Sequence, residues 1–255
     1  MVTNWKIFKY VLKVVFSYPI AFIIWAFTKD KRKTKYVAHR GYSALAPDSS
    51  EKSFTLATEY PFYGIETDIR FTKDNKIILS HDPEQSFKDG QTKEIDKYSY
   101  EELTSIELTR NAKLVGLDTY LGLCKKGDKH PVIELKCDFT LDDCKYILDE
   151  INKYYDVNKV TIISFFMNPL LSIRSINLSI NLEYLVGAFE FDKVYLALDN
   201  NMDIDAHFTD LSFKMIKAYH KKGLKVNSWT INSGIIKRFA IFRNIDFITS
   251  NKYYK

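Results

Sequence analysis

The sequence predicts an α/β fold, in particular a (β/α)8 barrel, in which parallel strands alternate with helices. After residue 35, short apolar runs typical of buried strands alternate with amphipathic helical patterns. The length of 255 residues fits a single barrel domain, and nine glycines and six prolines are too few for a low-complexity chain. These observations indicate a folded protein with a parallel sheet that closes on itself.

Nine segments have the composition and length of strands, one more than a closed eight-stranded barrel needs. One of them is therefore an additional strand or a wrong assignment. The predicted strands are 36–39, 64–69, 77–80, 132–136, 160–165, 182–186, 204–208, 225–229 and 247–249. The helical patterns between them are clearest at 50–60, 141–155, 211–222 and 235–242.

Residues 83–130 interrupt this alternation. They place 48 residues between two predicted strands, so they must contain some small structure of their own. Helices are predicted there at 100–107 and 119–125. We interpret the segment as an insertion after the third strand, over one mouth of a barrel domain that spans residues 36–255, where insertions often shape access to a site.

Residues 1–35 form a separate segment, predicted to be a membrane anchor. The 18-residue stretch 10–27 contains Lys13 as its only charge and would span about 27 Å as a helix. A transmembrane helix is the preferred interpretation, and the basic run after it favours a cytoplasmic position for the folded domain. Two alternatives stay open. Lys6, Lys9 and Lys13 share one helical face, as in a helix lying on a membrane, and a buried helix of the domain would also be apolar.

The charge distribution argues against a nucleic-acid partner. The net charge of +5 comes from 37 Lys and Arg against 32 Asp and Glu. The first 35 residues contain eight of the basic residues and one of the acidic residues. The remaining folded body therefore has 29 basic and 31 acidic residues. A body without excess positive charge lacks the basic surface that nucleic acids require. Cys124, Cys137 and Cys144 match no disulfide or zinc spacing and are predicted to be free thiols.

Polar side chains follow the first four predicted strands, at the end of the barrel that carries active sites. Residues two apart in a strand point to the same side, so Glu66 and Asp68 would share the interior, as would Glu134 and Lys136. The residues concerned, in chain order, are His39, Arg40, Glu66, Asp68, His81, Glu134 and Lys136.

These residue types together indicate a site for a phosphate ester. Glu66, Asp68 and Glu134 would repel one another unless a cation lies between them, and oxygen ligands select Mg²⁺ or Ca²⁺ over zinc. Arg40 and Lys136 add positive charge that suits a phosphate.

Two histidines complete this set. His39 and His81 titrate near neutrality and could transfer protons. A single Glu-x-Asp or Glu-x-Lys on a strand usually forms an ion pair or a solvated face. The order of the motifs at successive strand ends is therefore the informative signal, and it outlines a phosphodiester site.

The order and spacing of these motifs resemble the glycerophosphodiester phosphodiesterase family, whose members are phospholipase-C-like phosphodiesterases with triose-phosphate-isomerase-type (TIM) barrels. The resemblance extends over residues 36–252. The matching motifs are His39-Arg40-Gly41, the segment 46–50, Glu66-Thr67-Asp68, Thr72-Lys73-Asp74, His81-Asp82, Glu134-Leu135-Lys136, Ser164-Phe165 and Trp229-Thr230-Ile231-Asn232.

The resemblance implies an enzyme that hydrolyses glycerophosphodiesters to glycerol 3-phosphate and an alcohol. It implies a Mg²⁺ or Ca²⁺ ion held by the three carboxylates, and a general acid and a general base supplied by the two histidines in an order left open. In the family, the neighbouring glycerol hydroxyl attacks first and water then opens the cyclic phosphate. The other implied site residues are Arg40 and Lys136 at the phosphate, with Trp229 and Asn232 in the pocket.

The sequence departs from the family pattern in two places. Asp48-Ser49 stands where the family has Glu-Asn, and Ile248-Thr249-Ser250-Asn251 stands where the family commonly has Thr-Asp before a proline. These departures bear on the fit of the substrate rather than on the class of reaction.

Three alternative functions stay open. A membrane-tethered barrel could act as a lysophospholipase D on membrane lysophospholipids. A sphingomyelinase D shares the two-histidine arrangement, but the motif at 229–232 and the early proline motif fit it less well. A catalytically degenerate barrel retained as a membrane-bound phospholipid-binding module is the alternative outside the enzymes.

Overall fold

The part of the chain that the computed structural model describes, residues 34–254, contains a closed barrel of parallel strands with helices between them. Strand β1 pairs in parallel with both the second and the last barrel strand, which closes the sheet. The barrel strands are β1 (Lys35–Ala38), β2 (Gly64–Phe71), β8 (His130–Leu135), β9 (Thr161–Ser164), β10 (Asn181–Val186), β11 (Asp203–His207), β12 (Val226–Trp229) and β13 (Phe247–Ser250). The predicted TIM barrel is therefore confirmed.

The additional strand among the nine predictions is the third one. Strand β3 (Ile77–Leu79) pairs antiparallel with the end of β2, with Arg70 opposite Ile78, and lies outside the parallel barrel. The reason is the short connection at 72–76, in which Asn75 has a φ of 54°. Such a turn joins a hairpin, whereas a parallel strand needs a long crossover. The prediction that His81 follows a barrel strand is thus wrong, because His81 follows a hairpin strand.

The helices pack outside the barrel and begin at well-formed caps. Helices α1 (Glu51–Glu59), α4 (Leu141–Tyr154), α7 (Phe213–Lys221) and α8 (Gly234–Phe242) were all predicted within one or two residues of their ends. Ser50, Thr140, Ser212 and Ser233 accept hydrogen bonds from backbone N–H groups in the first turns, as N-cap residues do. Helices α5 (Met167–Ile176) and α6 (Phe191–Asp199) were not predicted.

The segment 83–130 contains two kinds of structure. Its first part holds the hairpin β4 (Glu84–Ser86) and β5 (Thr92–Glu94), helix α2 (Tyr100–Ser105), and the hairpin β6 (Glu107–Leu108) and β7 (Ala112–Lys113). This part has a small hydrophobic core of its own, which also includes Ile78 of β3. Helix α3 (Leu117–Lys126) instead packs in the main core, where it connects the hairpin region back to β8. The separate structure over the mouth therefore ends before Leu117.

The predicted membrane anchor, residues 1–35, falls almost entirely outside the described residues. Of that segment the structure describes positions 34 and 35, and Lys35 already belongs to β1, one residue earlier than predicted. Between residues 34 and 254 no helix has the length and apolar character needed to span a membrane. Cys124, Cys137 and Cys144 are free thiols, as predicted.

Candidate active site

Three carboxylates meet at the C-terminal mouth of the barrel. The parallel register of β2 and β8 places Asp68 beside Glu134, and Glu66 lies two residues earlier on the same side of β2. Each residue offers an oxygen within 4.8 Å of the oxygens of the other two, and all three side chains are buried. The predicted convergence of these acids is therefore present in the structure.

Several of these carboxylate oxygens have no hydrogen-bond partner. Within residues 34–254, Glu66 Oε1 and both side-chain oxygens of Asp68 are buried and accept no hydrogen bond. Burial and the neighbouring carboxylates raise the pKa of Glu66 well above its ordinary value, and raise the pKa of Glu134 to about 7. Buried anionic oxygens without donors are costly, and a hard divalent cation is the partner that they fit. The residues present thus suit Mg²⁺ or Ca²⁺.

Two cationic side chains flank this carboxylate cluster. Arg40 Nε lies 3.5 Å from Asp68 Oδ2, and the Arg40 backbone N–H donates to Glu66 Oε2 at 2.8 Å. Lys136 Nζ lies 2.8 Å from Glu134 Oε1 and 3.5 Å from Asp68 Oδ1. Both side chains are largely buried, so their charges act in a poorly screened environment. An anion such as a phosphate could bind between them beside the cluster.

A tight turn after β1 sets the position of Arg40. Arg40 and Gly41 both have left-handed φ values, of 54° and 76°. A side chain at Gly41 would meet Ser53 Oγ at 2.5 Å, so glycine is required for the turn to pack against α1. Ser53 Oγ in turn donates to the Arg40 carbonyl at 3.0 Å. The close packing of loop and helix therefore directs the Arg40 N–H towards Glu66.

His39 follows β1 and is held by the last barrel strand. Its Nδ1 lies 2.6 Å from Asn251 Oδ1. Burial of the ring and the nearby Arg40 charge lower the pKa of His39 to about 4, so the imidazole is neutral at pH 7. Asn232 Oδ1 accepts from the Asn251 backbone N–H at 2.9 Å and from Ser250 Oγ at 3.1 Å. Asn232, predicted to line the pocket, thus holds the segment that contacts His39.

His81 reaches the mouth from the hairpin. The Arg70 guanidinium donates two hydrogen bonds to the His81 carbonyl, from Nε at 3.1 Å and from Nη2 at 2.7 Å. The imidazole Nδ1 lies 2.8 Å from Asp82 Oδ1, which leaves Nε2 as the nitrogen available to a ligand. Partial burial lowers the pKa of His81, while the nearby Asp68 opposes that shift. The two histidines therefore differ, since His81 lies at the rim beside a carboxylate and His39 lies deeper beside an amide.

A cavity of about 220 Å³ connects these groups. Its lining combines both histidines, Arg40, Glu66, Glu134 and Lys136 with apolar side chains that include Trp229. The Trp229 ring meets Phe165 edge to face, with centroids 5.5 Å apart, and its Nε1–H donates to the Asp205 carbonyl. The structure thus places Trp229 in the lining, and Asn232 is absent from the described lining residues.

Asp205 is a lining residue that the sequence analysis did not identify. It is 1% exposed, and its Oδ1 has no hydrogen-bond partner among the described residues. Burial and the neighbouring carboxylates of Glu183, Glu66 and Glu134 raise its pKa well above the ordinary value. The signal was the alternation Asp203-Ile204-Asp205, which points two acids inward from one strand.

Buried oxygens that need a cation lie here beside side chains that attract an anion, a combination suited to cleaving a phosphate ester. The chain is accordingly a barrel hydrolase of phosphoric diesters. Its sequence matches the Glycerophosphoryl diester phosphodiesterase family over residues 39–253, and it belongs to that family.

Individual relatives agree with this membership. The chain is 24% identical to a glycerophosphodiester phosphodiesterase of Caldanaerobacter subterraneus over 211 residues, 78% of this chain and 86% of that one. The structure of a glycerophosphodiester phosphodiesterase from Parabacteroides distasonis superposes with a TM-score of 0.74 at 25% identity, covering 87% of this chain and 94% of the other. An Oleispira antarctica phosphodiesterase, solved with sn-glycerol 3-phosphate, has the same fold, with a TM-score of 0.77, 18% identity, and coverage of 85% and 92%.

Proposed function

We propose that this protein hydrolyses glycerophosphodiesters to sn-glycerol 3-phosphate and an alcohol, with a divalent cation, Mg²⁺ or Ca²⁺, held by Glu66, Asp68 and Glu134. The observation that carries the proposal is the set of buried carboxylate oxygens without hydrogen-bond partners, beside Arg40 and Lys136. The bound product in the Oleispira antarctica relative agrees with the products proposed here.

The cationic side chains would bind and polarise the phosphate. Arg40 and Lys136 lie on the two sides of Asp68, so their charges would face the nonbridging oxygens of a phosphodiester at the cavity mouth. These oxygens gain negative charge in the transition state, and fixed cations in a poorly solvated site stabilise that charge. The bound divalent cation would draw further charge from a phosphoryl oxygen and lower the pKa of the attacking hydroxyl.

The two histidines would move the protons. His39 is neutral at pH 7 and would accept the proton of the glycerol hydroxyl as its oxygen forms a bond to phosphorus. The bond from phosphorus to the departing alcohol breaks, and His81 Nε2 would give that oxygen a proton. Asp82, 2.8 Å from His81 Nδ1, would favour the protonated imidazole against the burial that lowers the pKa of His81. Water would then open the cyclic phosphate with the two histidine roles exchanged.

The structure favours small, water-soluble diesters over membrane lysophospholipids. The catalytic cavity of about 220 Å³ leaves little room for an acyl chain. The chain also enters β1 at Lys35, which lines the opposite, N-terminal mouth of the barrel. A membrane anchor in residues 1–35, which we retain as a proposal together with a cytoplasmic folded domain, would therefore hold the noncatalytic end towards the lipid. Comparing hydrolysis of glycerophosphocholine and lysophosphatidylcholine separates the two substrate classes.

The direct test is the release of sn-glycerol 3-phosphate from glycerophosphodiesters, followed by ³¹P NMR with Mg²⁺ or Ca²⁺ present. We expect stoichiometric release of product. Binding of the diesters without any release of product, in either metal, would contradict the proposal and favour a phospholipid-binding module that has lost activity.

A further inference from the structure

A second cavity adjoins the catalytic one. It measures about 370 Å³, within the range of roughly 300–1,000 Å³ typical of small-molecule sites, and lies between the loop after β1 and the hairpins of the insertion. Arg40 and His81 line both cavities. A phosphodiester bound at Arg40 with one arm in the catalytic cavity would therefore extend its other arm past His81 into this second space.

The walls of the second cavity are mostly polar and contain no aromatic side chain other than the imidazole of His81. None of its 16 lining residues is Phe, Tyr or Trp, whereas proteins recognise quaternary ammonium groups chiefly with aromatic faces. Its two carboxylates are already engaged, Asp48 by Arg40 at 3.1 Å and Asp82 by His81 at 2.8 Å. Arg110 adds a positive charge that has no ion-pair partner among residues 34–254. The cavity is therefore poorly suited to choline or ethanolamine.

Ser49 provides a positive indication of the ligand. Its side chain is 2% exposed, and its Oγ has no hydrogen-bond partner in the described part of the chain. The loop fixes its position, because the Ser49 backbone N–H donates to the Arg40 carbonyl at 3.1 Å. A buried hydroxyl without a partner costs free energy, and a hydroxyl group on a ligand can both donate to it and accept from it.

We propose that this second cavity is the subsite for the departing alcohol and that it selects polyhydroxylated alcohols, through Ser49 and Arg110, over quaternary amines. The proposal rests on the proposed function and specifies its substrate class. Alcohol hydroxyls match the mixed donors and acceptors of these walls, and an alcohol in this space would have His81 beside its oxygen.

The test compares glycerophosphoinositol and glycerophosphoglycerol with glycerophosphocholine, using the full chain with Mg²⁺ or Ca²⁺. We expect kcat/KM to be at least about tenfold higher for the polyol diesters. Ser49→Ala and Arg110→Asn should each lower kcat/KM for the polyol diesters about 3- to 10-fold, the worth of one hydrogen bond, and leave glycerophosphocholine unchanged. Asn suits position 110 because Arg110 has a left-handed φ of 57°.

Matched controls make the same changes outside the cavity. Ser105→Ala removes an exposed hydroxyl in the insertion, and Lys113→Asn removes an exposed positive charge from the same hairpin. Both should leave the substrate preference unchanged. Ser49 has a left-handed φ of 51°, a conformation that strains Ser and Ala alike. Ser49→Ala also removes an unpaired buried hydroxyl, so its Tm should stay close to that of the original protein, which separates lost recognition from lost folding.

Binding measurements distinguish failure of this proposal from failure of the proposed function. The Kd values of the diesters for the His39→Ala variant, measured by calorimetry, do not depend on turnover. Equal affinity for polyol and choline diesters, unaffected by Ser49→Ala, would overturn the polyol subsite even if all the diesters are hydrolysed. Selective binding of polyol diesters without hydrolysis by the unmodified protein would support the subsite and overturn the proposed reaction.

Discussion

The two mouths of the barrel both gather carboxylates, but they satisfy them differently. At the N-terminal mouth, a cavity of about 260 Å³ contains Glu183 and Asp203. Glu183 Oε2 accepts from Asn227 Nδ2 at 3.2 Å, and Asp203 Oδ1 accepts from the Lys225 backbone N–H at 2.8 Å. At the catalytic mouth, both oxygens of Asp68 lack such donors. One cluster is complete within the protein, and the other is built to receive a ligand.

The comparison shows that buried acids alone do not identify a catalytic site. Burial and the neighbouring Asp203 raise the pKa of Glu183 to about 8, so this residue is mainly protonated at pH 7. At the N-terminal mouth, a bound proton and the amide donor of Asn227 are enough to stabilise the buried carboxyl group of Glu183. At the other end, Arg40 and Lys136 lie beside the acids, and two imidazoles face the same cavity. The catalytic mouth is thus distinguished by buried carboxylate oxygens that accept no hydrogen bond, next to cations and proton carriers.

The largest expected difference between the two mouths concerns their histidines. Replacing His39 or His81 by Ala should lower kcat by about 10²- to 10⁴-fold, the usual contribution of a general acid or base. His130 at the N-terminal mouth bonds Thr161 Oγ1 and stacks on Tyr63, so His130→Gln should change kcat less than about threefold. Steady-state kinetics of the three variants measure these changes in kcat. Activity of His39→Ala or His81→Ala within about tenfold of the original would contradict the proposed roles.

The second difference concerns the carboxylates. Glu134→Gln should raise the Mg²⁺ or Ca²⁺ concentration for half-maximal activity at least about 100-fold, since even groups that merely orient metal ligands are worth about 10- to 100-fold. Glu183→Gln, the same substitution at the other mouth, should leave that concentration unchanged. Metal titrations of activity and calorimetric metal binding provide two independent measures. Equal metal dependence of both variants would remove the assignment of Glu134 as a ligand.

A third prediction concerns the amide that positions His39. Asn251→Ala should lower kcat about tenfold, because the ring loses its contact at Nδ1. Asn251→Asp should instead place a negative charge beside the imidazole and raise the pKa of His39 by about one unit or more. A base must be unprotonated to act, so the acidic limb of the kcat/KM profile should move to higher pH in Asn251→Asp. An unshifted limb would mean that His39 is not the group that titrates there.

The smallest expected effect is on stability at the N-terminal mouth. The pKa of Glu183 is raised from 4.5 to about 8 in the folded protein. The stability that this group contributes is therefore fully present below pH 4.5 and is lost as the pH rises through about 8. Glu183→Gln should raise the Tm by several °C at pH 8 and by much less at pH 5, at saturating divalent cation, because glutamine has no proton to lose. A pH-independent difference in Tm would contradict the raised pKa.

Much of the catalytic mouth could be predicted from the sequence because its residues come in pairs two apart on strands. Glu66 with Asp68, and Glu134 with Lys136, reveal their shared side by that spacing. Asp205 has the same spacing to Asp203, but the predicted strand began at residue 204 and so left Asp203 outside the pattern. Asn232 acts through Ser250 and Asn251, and such a long-range contact has no signal in local spacing.

The errors in the fold have a comparable cause. An apolar run such as 77–80 suits a barrel strand and a hairpin strand equally well, and the short turn before it decides between them. Helix α5 was missed because its apolar face is weakly separated from its polar face. Helix α6 separates its faces as clearly as the predicted helix α8 and was overlooked. The number of strand-like segments therefore predicted the barrel better than the helical patterns did.

The proposed activity depends on a divalent cation between Glu66, Asp68 and Glu134, and removal of metal tests this dependence most directly. After exhaustive treatment with EDTA, the protein should release no sn-glycerol 3-phosphate from a glycerophosphodiester, and added Mg²⁺ or Ca²⁺ should restore the original rate. Full turnover by the metal-free protein would contradict a role of the divalent cation in the reaction.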